Sequence, residues 1–115
     1  MESRKIPNSA ITASSVWGVG HEAWRGRLRN QPALPYDEYT NIGSWKAGAY
    51  SSEYLQIDLG TIVDVTMVAT QGRPMYYNMW VKKYSLAYAL NNSTFVEYKV
   101  HGIVKVGWRK SCQFP

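Results

Sequence analysis

Gly18-Val19-Gly20-His21-Glu22-Ala23 carries the letters of a dinucleotide fingerprint, with the carboxylates Asp37 and Glu38 downstream where a ribose ligand would sit. That chemistry needs a helix opening at the glycines, with its first N–H groups facing a pyrophosphate. Gly26, Pro32 and Pro35 cut off any such helix, and no βαβ pattern surrounds the motif, so the fingerprint is set aside. His21 and Glu22 remain as a loop pair that could move a proton. Nothing around them builds a catalytic set. His101 is far away in sequence, no nucleophile elbow exists, and Asp58 and Asp64 fall on strand faces, so the chain reads as a non-enzyme that needs no cofactor. Asp37 and Glu38 could join loop carbonyls around calcium, but two adjacent carboxylates lack the oxygen-rich spacing of a calcium loop, and no metal site is assigned. Cys112 is the only cysteine, which excludes an intrachain disulfide and a cysteine-rich metal site, and no reactive signature surrounds it. Asn91-Asn92-Ser93 and Asn92-Ser93-Thr94 are overlapping N-glycosylation sequons in a turn sequence, with Asn91 and Asn92 as the acceptors.

The elements that would hold such residues are strands. Leu55, Ile57 and Leu59 alternate with Gln56 and Asp58 over Tyr54 to Leu59, the period of a half-buried strand. After a turn at Gly60-Thr61, Ile62 to Thr70 repeats the pattern with Val63, Val65, Met67 and Ala69, and the two segments are expected to be neighbours in one sheet. Tyr84, Leu86 and Tyr88 alternate next, and Asn91-Asn92-Ser93 turns the chain into Phe95, Val96 and Tyr98, which reads as a hairpin. The expected core is Leu55, Ile57, Leu59, Val63, Val65, Met67, Tyr84, Leu86, Tyr88 and Phe95, since a slip of one residue would turn the whole set outward. Between Trp17 and Tyr50, glycines and prolines leave no window for a regular helix, so long loops on a β scaffold are expected, the usual carriers of function. Several short strands with irregular connections point to an antiparallel β-sandwich.

With 115 residues, 45% hydrophobic and 14% aromatic, the chain is the size of one domain with enough apolar material for a core. No run approaches the roughly 20 apolar residues of a membrane helix, and Glu2, Ser3, Arg4 and Lys5 stand where a signal peptide would be apolar. A net charge of +5 suits acidic lipid headgroups, sulfated glycans or acidic protein patches; the alternative is an ordinary solvated surface. Nucleic acid is disfavoured, because there is no basic run, no zinc-ligand spacing and no helix with clustered Arg and Lys.

Three segments, in order, resemble the coagulation factor 5/8 type C, or discoidin, domain family: Met1-Glu2-Ser3-Arg4-Lys5-Ile6-Pro7-Asn8-Ser9-Ala10-Ile11-Thr12-Ala13-Ser14-Ser15, Tyr54-Leu55-Gln56-Ile57-Asp58-Leu59-Gly60, and Ala69-Thr70-Gln71-Gly72-Arg73 running into Trp80-Val81-Lys82-Lys83-Tyr84-Ser85-Leu86-Ala87-Tyr88. The resemblance implies an all-β, galactose-binding-domain-like jelly-roll sandwich in a secreted protein or ectodomain. It covers residues 1–99 as a discoidin-like domain whose closing strands are missing, and leaves 100–115 as an unmatched tail in which Ile103-Val104-Lys105-Val106 is a short strand. Such a chain is expected to be marginally stable and to associate through unpaired edges. In the family the opening Met-Glu-Ser lies inside the domain, after a leader and a cysteine, which implies that Met1 is an internal methionine. The family also bridges its ends with a disulfide, for which Cys112 has no partner here.

By the same resemblance, the segment Val16 to Gly26 is a first ligand loop with Trp17, His21, Trp24 and Arg25, and Gln71 to Met79 is a second with Arg73, Met75, Tyr76, Tyr77 and Asn78. Ile42 to Tyr50 adds a third tip at Trp45. The competing reading packs Trp24 beneath its loop, ties Arg27 into a structural ion pair and gives Trp80 to the core. On the main reading the chain is a non-catalytic extracellular adhesion or recognition module that binds protein, glycan or an anionic surface through loops at one end, with Trp17, Met75, Tyr76 and Tyr77 exposed together. The alternative is phosphatidylserine-dependent membrane binding by the same loops. A small hydrolase or lyase is the remote third class.

Overall fold

The computed structural model describes residues 5–32, 42–74, 79–91, 93–104 and 106–108. Their regular structure is all β apart from 3-10 turns at Asn8–Ala10 and Ala23–Gly26. The strands are β1 (Ile11–Ala13), β2 (Leu55–Ile57), β3 (Lys83–Ser85), β4 (Ala87–Tyr88), β5 (Val96–Glu97), β6 (Lys99–Val100), β7 (Ile103–Val104) and β8 (Val106–Trp108). They pair antiparallel as β1 with β2, β3 with β8, β4 with β5 and β6 with β7.

The β1–β2 ladder brings Ile11 opposite Ile57 and Ala13 opposite Leu55. Bonds from Ser14 N to the Tyr54 carbonyl (3.0 Å) and from Asp58 N to the Ala10 carbonyl (2.8 Å) extend it at both ends. The core sits beside this ladder, where Ile11, Ala23 and Ile42 are buried together with the polar side chains of His21 and Arg27. Arg27 is satisfied in place, donating from Nη2 to the Ile6 carbonyl and from Nη2 and Nε to Asn8 Oδ1, and so fastens the N-terminal segment against the loop that follows Ala23–Gly26. Gly43 is required by its surroundings. It has φ of +74°, and an added Cβ would lie 2.7 Å from the Pro32 nitrogen.

The hairpin expected after Tyr84 is present, with Ala87 opposite Glu97 and Tyr88 opposite Val96, and Tyr98 N adds a 2.8 Å bond to the Leu86 carbonyl. Of the single short strand expected over Ile103-Val104-Lys105-Val106, Ile103-Val104 is β7, whereas Val106 belongs to β8, which pairs with β3. β7 is half of a second hairpin whose loop, His101-Gly102, has positive φ at both residues (52° and 75°), the conformation of a two-residue turn that matches strand twist. From Trp17 to Arg29 and again through 42–50, the chain runs as loops and a single 3-10 turn, as the glycine and proline spacing implied.

Two expectations are corrected. Ile62 to Thr70 forms no ladder, and β2 takes β1 as its neighbour instead. Adjacency in sequence proposes a partner, but strand pairing goes to whichever edge the tertiary fold delivers, and Ile11–Ala13 holds one edge of β2. The expected core is also not buried: Leu55, Ile57, Tyr84 and Leu86 are half-buried, while Leu59, Val63, Val65, Met67, Tyr88 and Phe95 are exposed, Met67 by 83%. Alternation places side chains on one face, but burying that face needs a second layer, and no described element covers 62–68.

Candidate functional site

The first loop begins where β1 ends, and hydrogen bonds to the 42–54 region set its direction. Ser14 and Ser15 donate their hydroxyls to the Glu53 carboxylate, while Ser14 Oγ accepts from Tyr54 N at 2.9 Å and Ser15 Oγ from Gly48 N at 2.8 Å. These serine bonds hold the Glu53 carboxyl below the usual carboxylate range, Ser14 contributing most. Beyond the serines, Trp17 N donates to the Lys46 carbonyl (2.9 Å), and Trp45 Nε1 donates to the Ser15 carbonyl (3.1 Å). The first and third loops therefore share one backbone framework.

Trp17 stands out from it, 51% exposed, flanked by exposed Val16 and Val19. The Lys46 ammonium lies 3.6 Å from the centroid of the Trp17 ring, a cation–π stack that seats a charge on an apolar tip. Trp24 is half-buried, and its ring carries the Arg25 guanidinium at 4.5 Å. Arg25 in turn pairs with Glu22, whose other carboxylate oxygen accepts from Gly20 N at 2.9 Å. Desolvation pushes the Glu22 carboxyl up, but the backbone N–H bonds from Gly20 and from its own residue, joined by Arg25, outweigh it and leave the group below its ordinary value. With both Glu22 oxygens engaged in this way, the His21–Glu22 pair is not arranged as a proton-transfer couple.

His21 lies beneath the loops, 7% exposed. Its ring bonds the Ser44 backbone, which favours protonation, but burial first, then the Arg73 and Lys46 charges, hold its pKa below the usual histidine value. Ser44 and Lys46 belong to the third loop and Arg73 to the second, so charge from both loops reaches the His21 ring. A bond from Arg29 N to Gln71 Oε1 (2.7 Å) ties the stem of the second loop to the first, and Arg73 N closes that stem on the Met79 carbonyl at 2.8 Å.

Of the residues selected from sequence, Trp17, Trp24 and Arg25 lie on the first loop, Trp45 is tied to that loop's start by its bond to the Ser15 carbonyl, and Arg73 lies on the stem joined to it through Gln71. His21, which the resemblance places on the first ligand loop, is buried, with its ring bonded to the Ser44 backbone. Met75, Tyr76, Tyr77, Asn78, Asp37, Glu38, Asn92 and Cys112 lie outside the described residues. Among the described residues, no group of His, Cys, Asp and Glu is arranged to hold a metal. Sequence reasoning missed Lys46 as the partner of Trp17. The available signal was a lysine beside Trp45 in a loop already singled out.

A family model for the F5/8 type C domain matches residues 10–112. The chain belongs to the F5/8 type C domain family. It is similar to bovine (Bos taurus) lactadherin, 36% identical over 111 residues that span 89% of this chain and 24% of that protein. Human (Homo sapiens) coagulation factor V is 33% identical over 106 residues, 87% of this chain and 4% of its own length. The venom prothrombin activator pseutarin-C non-catalytic subunit of Pseudonaja textilis is 36% identical over 100 residues, 85% of this chain and 6% of that protein. The chain thus spans about a quarter or less of the relatives it matches. No solved structure matches it significantly. As an F5/8 type C domain it is a galactose-binding-like β-sandwich and a non-catalytic extracellular recognition module. Among the described residues no helix is long and apolar enough to cross a membrane.

Proposed function

We propose that this F5/8 type C domain docks on anionic phospholipid surfaces, phosphatidylserine membranes among them, through the end that carries Trp17. The observation behind this reading is the exposed Val16-Trp17-Val19 tip with the Lys46 ammonium held on the Trp17 ring. An indole and two valines can enter the acyl boundary, while a cation beside them meets the headgroups, so apolar transfer and surface potential act at one point. The overall charge of +5 supports attraction over distance, while Arg25, stacked on Trp24 and paired with Glu22, braces the loop without adding net charge to it. His21 and the Ser15 bonds give the tip a rigid base, which lowers the ordering cost of docking. The Arg73 loop, tied to the first through Gln71, is the second contact in this reading.

Sedimentation with phosphatidylserine vesicles and with phosphatidylcholine vesicles tests the proposal. Saturable binding to the first alone, weakening as salt rises, is the expected result. Binding that ignores phosphatidylserine, or a preference for a sulfated glycan or a protein that leaves vesicles unbound, would replace the membrane reading.

A further inference from the structure

The turn between β4 and β5 lies outside the Trp17 site, yet it carries an organised modification motif. Asn91 is exposed and its Oδ1 accepts three hydrogen bonds, from Ser93 N at 3.1 Å, Ser93 Oγ at 3.1 Å and Thr94 N at 2.9 Å. Ser93 N and Thr94 N can only donate, which identifies the shared atom as the carboxamide oxygen, and none of these bonds uses Nδ2. Ser93 and Thr94 are exposed as well, and Leu90 beside them is 77% exposed.

We propose that Asn91 is an N-linked glycan acceptor. Asn91-Asn92-Ser93 has the required residue types, and this domain belongs to an extracellular family, the setting in which that modification occurs. The co-reactant is an oligosaccharide carried on a polyprenyl pyrophosphate. Asn91 Nδ2 attacks the anomeric carbon, the bond from that carbon to the phosphate oxygen breaks, and the pyrophosphate leaves with its electron pair. The proton lost from Nδ2 passes to a base of the transferase, and no oxidant or reductant takes part. The product is then compatible with the folded hairpin. Substitution at Nδ2 leaves Oδ1 unchanged, so all three turn bonds persist, and the sugar extends into solvent from the tip. Asn92 starts the overlapping sequon Asn92-Ser93-Thr94, which makes the choice of acceptor testable.

The experiment is secretion of the full chain from a eukaryotic cell behind a cleavable leader. Enzymatic glycan release in heavy-oxygen water then marks each formerly glycosylated Asn as labelled Asp, read by fragment-ion mass spectrometry. Label mainly at Asn91 is expected. Ser93→Ala removes the hydroxyl two residues after Asn91 but keeps Thr94 two after Asn92, so it should abolish label at Asn91, whereas Thr94→Ala should leave it. Secreted chain without glycan, label mainly at Asn92, or loss of the Asn91 label on Thr94→Ala but not on Ser93→Ala would each overturn the proposal.

Discussion

Replacing Trp17 with alanine is the sharpest perturbation of the proposed surface. The indole is 51% exposed, and a tryptophan has roughly 150–250 Å² to bury, so roughly 100 Å² remains to leave water when a membrane covers it. At about 25 cal/mol per Å² that area contributes about 2.5 kcal/mol, of which the alanine methyl keeps a small part. A net loss of about 2 kcal/mol corresponds to about thirtyfold weaker vesicle binding. The stack with Lys46 is lost in the same change, which places the lysine less well and adds to the effect rather than opposing it. The assay is a vesicle titration at fixed lipid composition, paired with thermal unfolding of the same variant. The other half of the ring is already covered in the fold, so unfolding should shift by an amount of the same order, about 2 kcal/mol, although the bond from Trp17 N to the Lys46 carbonyl is made by backbone that alanine retains, and vesicle affinity is therefore compared per folded molecule. A loss of affinity per folded molecule below about fivefold, the mark of less than ~1 kcal/mol, would refute the reasoning.

Lys46→Ala should weaken vesicle binding about fivefold at low salt, since a lysine near an anionic surface is worth about 1 kcal/mol, and the difference should shrink as salt rises. Arg27→Ala removes bonds to Ile6 and Asn8 from a buried position and should cost about 1–3 kcal/mol in urea unfolding, with vesicle affinity per folded molecule unchanged. Gly43→Ala should destabilise by about 2 kcal/mol or more, because the left-handed backbone costs about 1–2 and the new Cβ meets Pro32; Gly48→Ala, whose Cβ would meet Ser15 Oγ at 3.2 Å, should cost less. For His21 the folded pKa lies below the ordinary 6.5, so the unfolded chain binds more protons there, and stability should hold above 6.5 and fall as pH drops through it toward the folded value. His21→Gln should flatten that slope, while the loss due to Glu22 and Glu53, whose pKa values are also lowered, should persist as pH falls below their ordinary 4.5.

How much was legible in the sequence depended on how local each feature is. The β4–β5 hairpin could be read because its turn residues and both strands lie within one short window, and Asn91 makes its own turn bonds. The loops of 17–50 could be read because glycine and proline forbid regular structure wherever they fall. Membership of the family could be read from ordered segment matches, and the match over residues 10–112 agrees. The β6–β7 hairpin was half legible: its strand at Ile103 was recognised, but the positive-φ pair His101-Gly102 was not read as the turn.

By itself, then, the sequence determined the all-β class, the loop-rich first half, the local hairpin and the non-catalytic character of the chain. Only the tertiary structure decided that β2 pairs with β1 across the long loop between them, that Lys46 stacks on Trp17, and that His21 and Arg27 lie inside. It also decided that the alternating face of Val63, Val65 and Met67 is exposed. The physical reason is the same in each case. A period of two states which side chains share a face, and a residue type states what a side chain could do, but burial, pairing and stacking are properties of two segments at once. Their meeting depends on loop closure and on which surfaces compete for the same apolar contact, and no single window of residues contains that information.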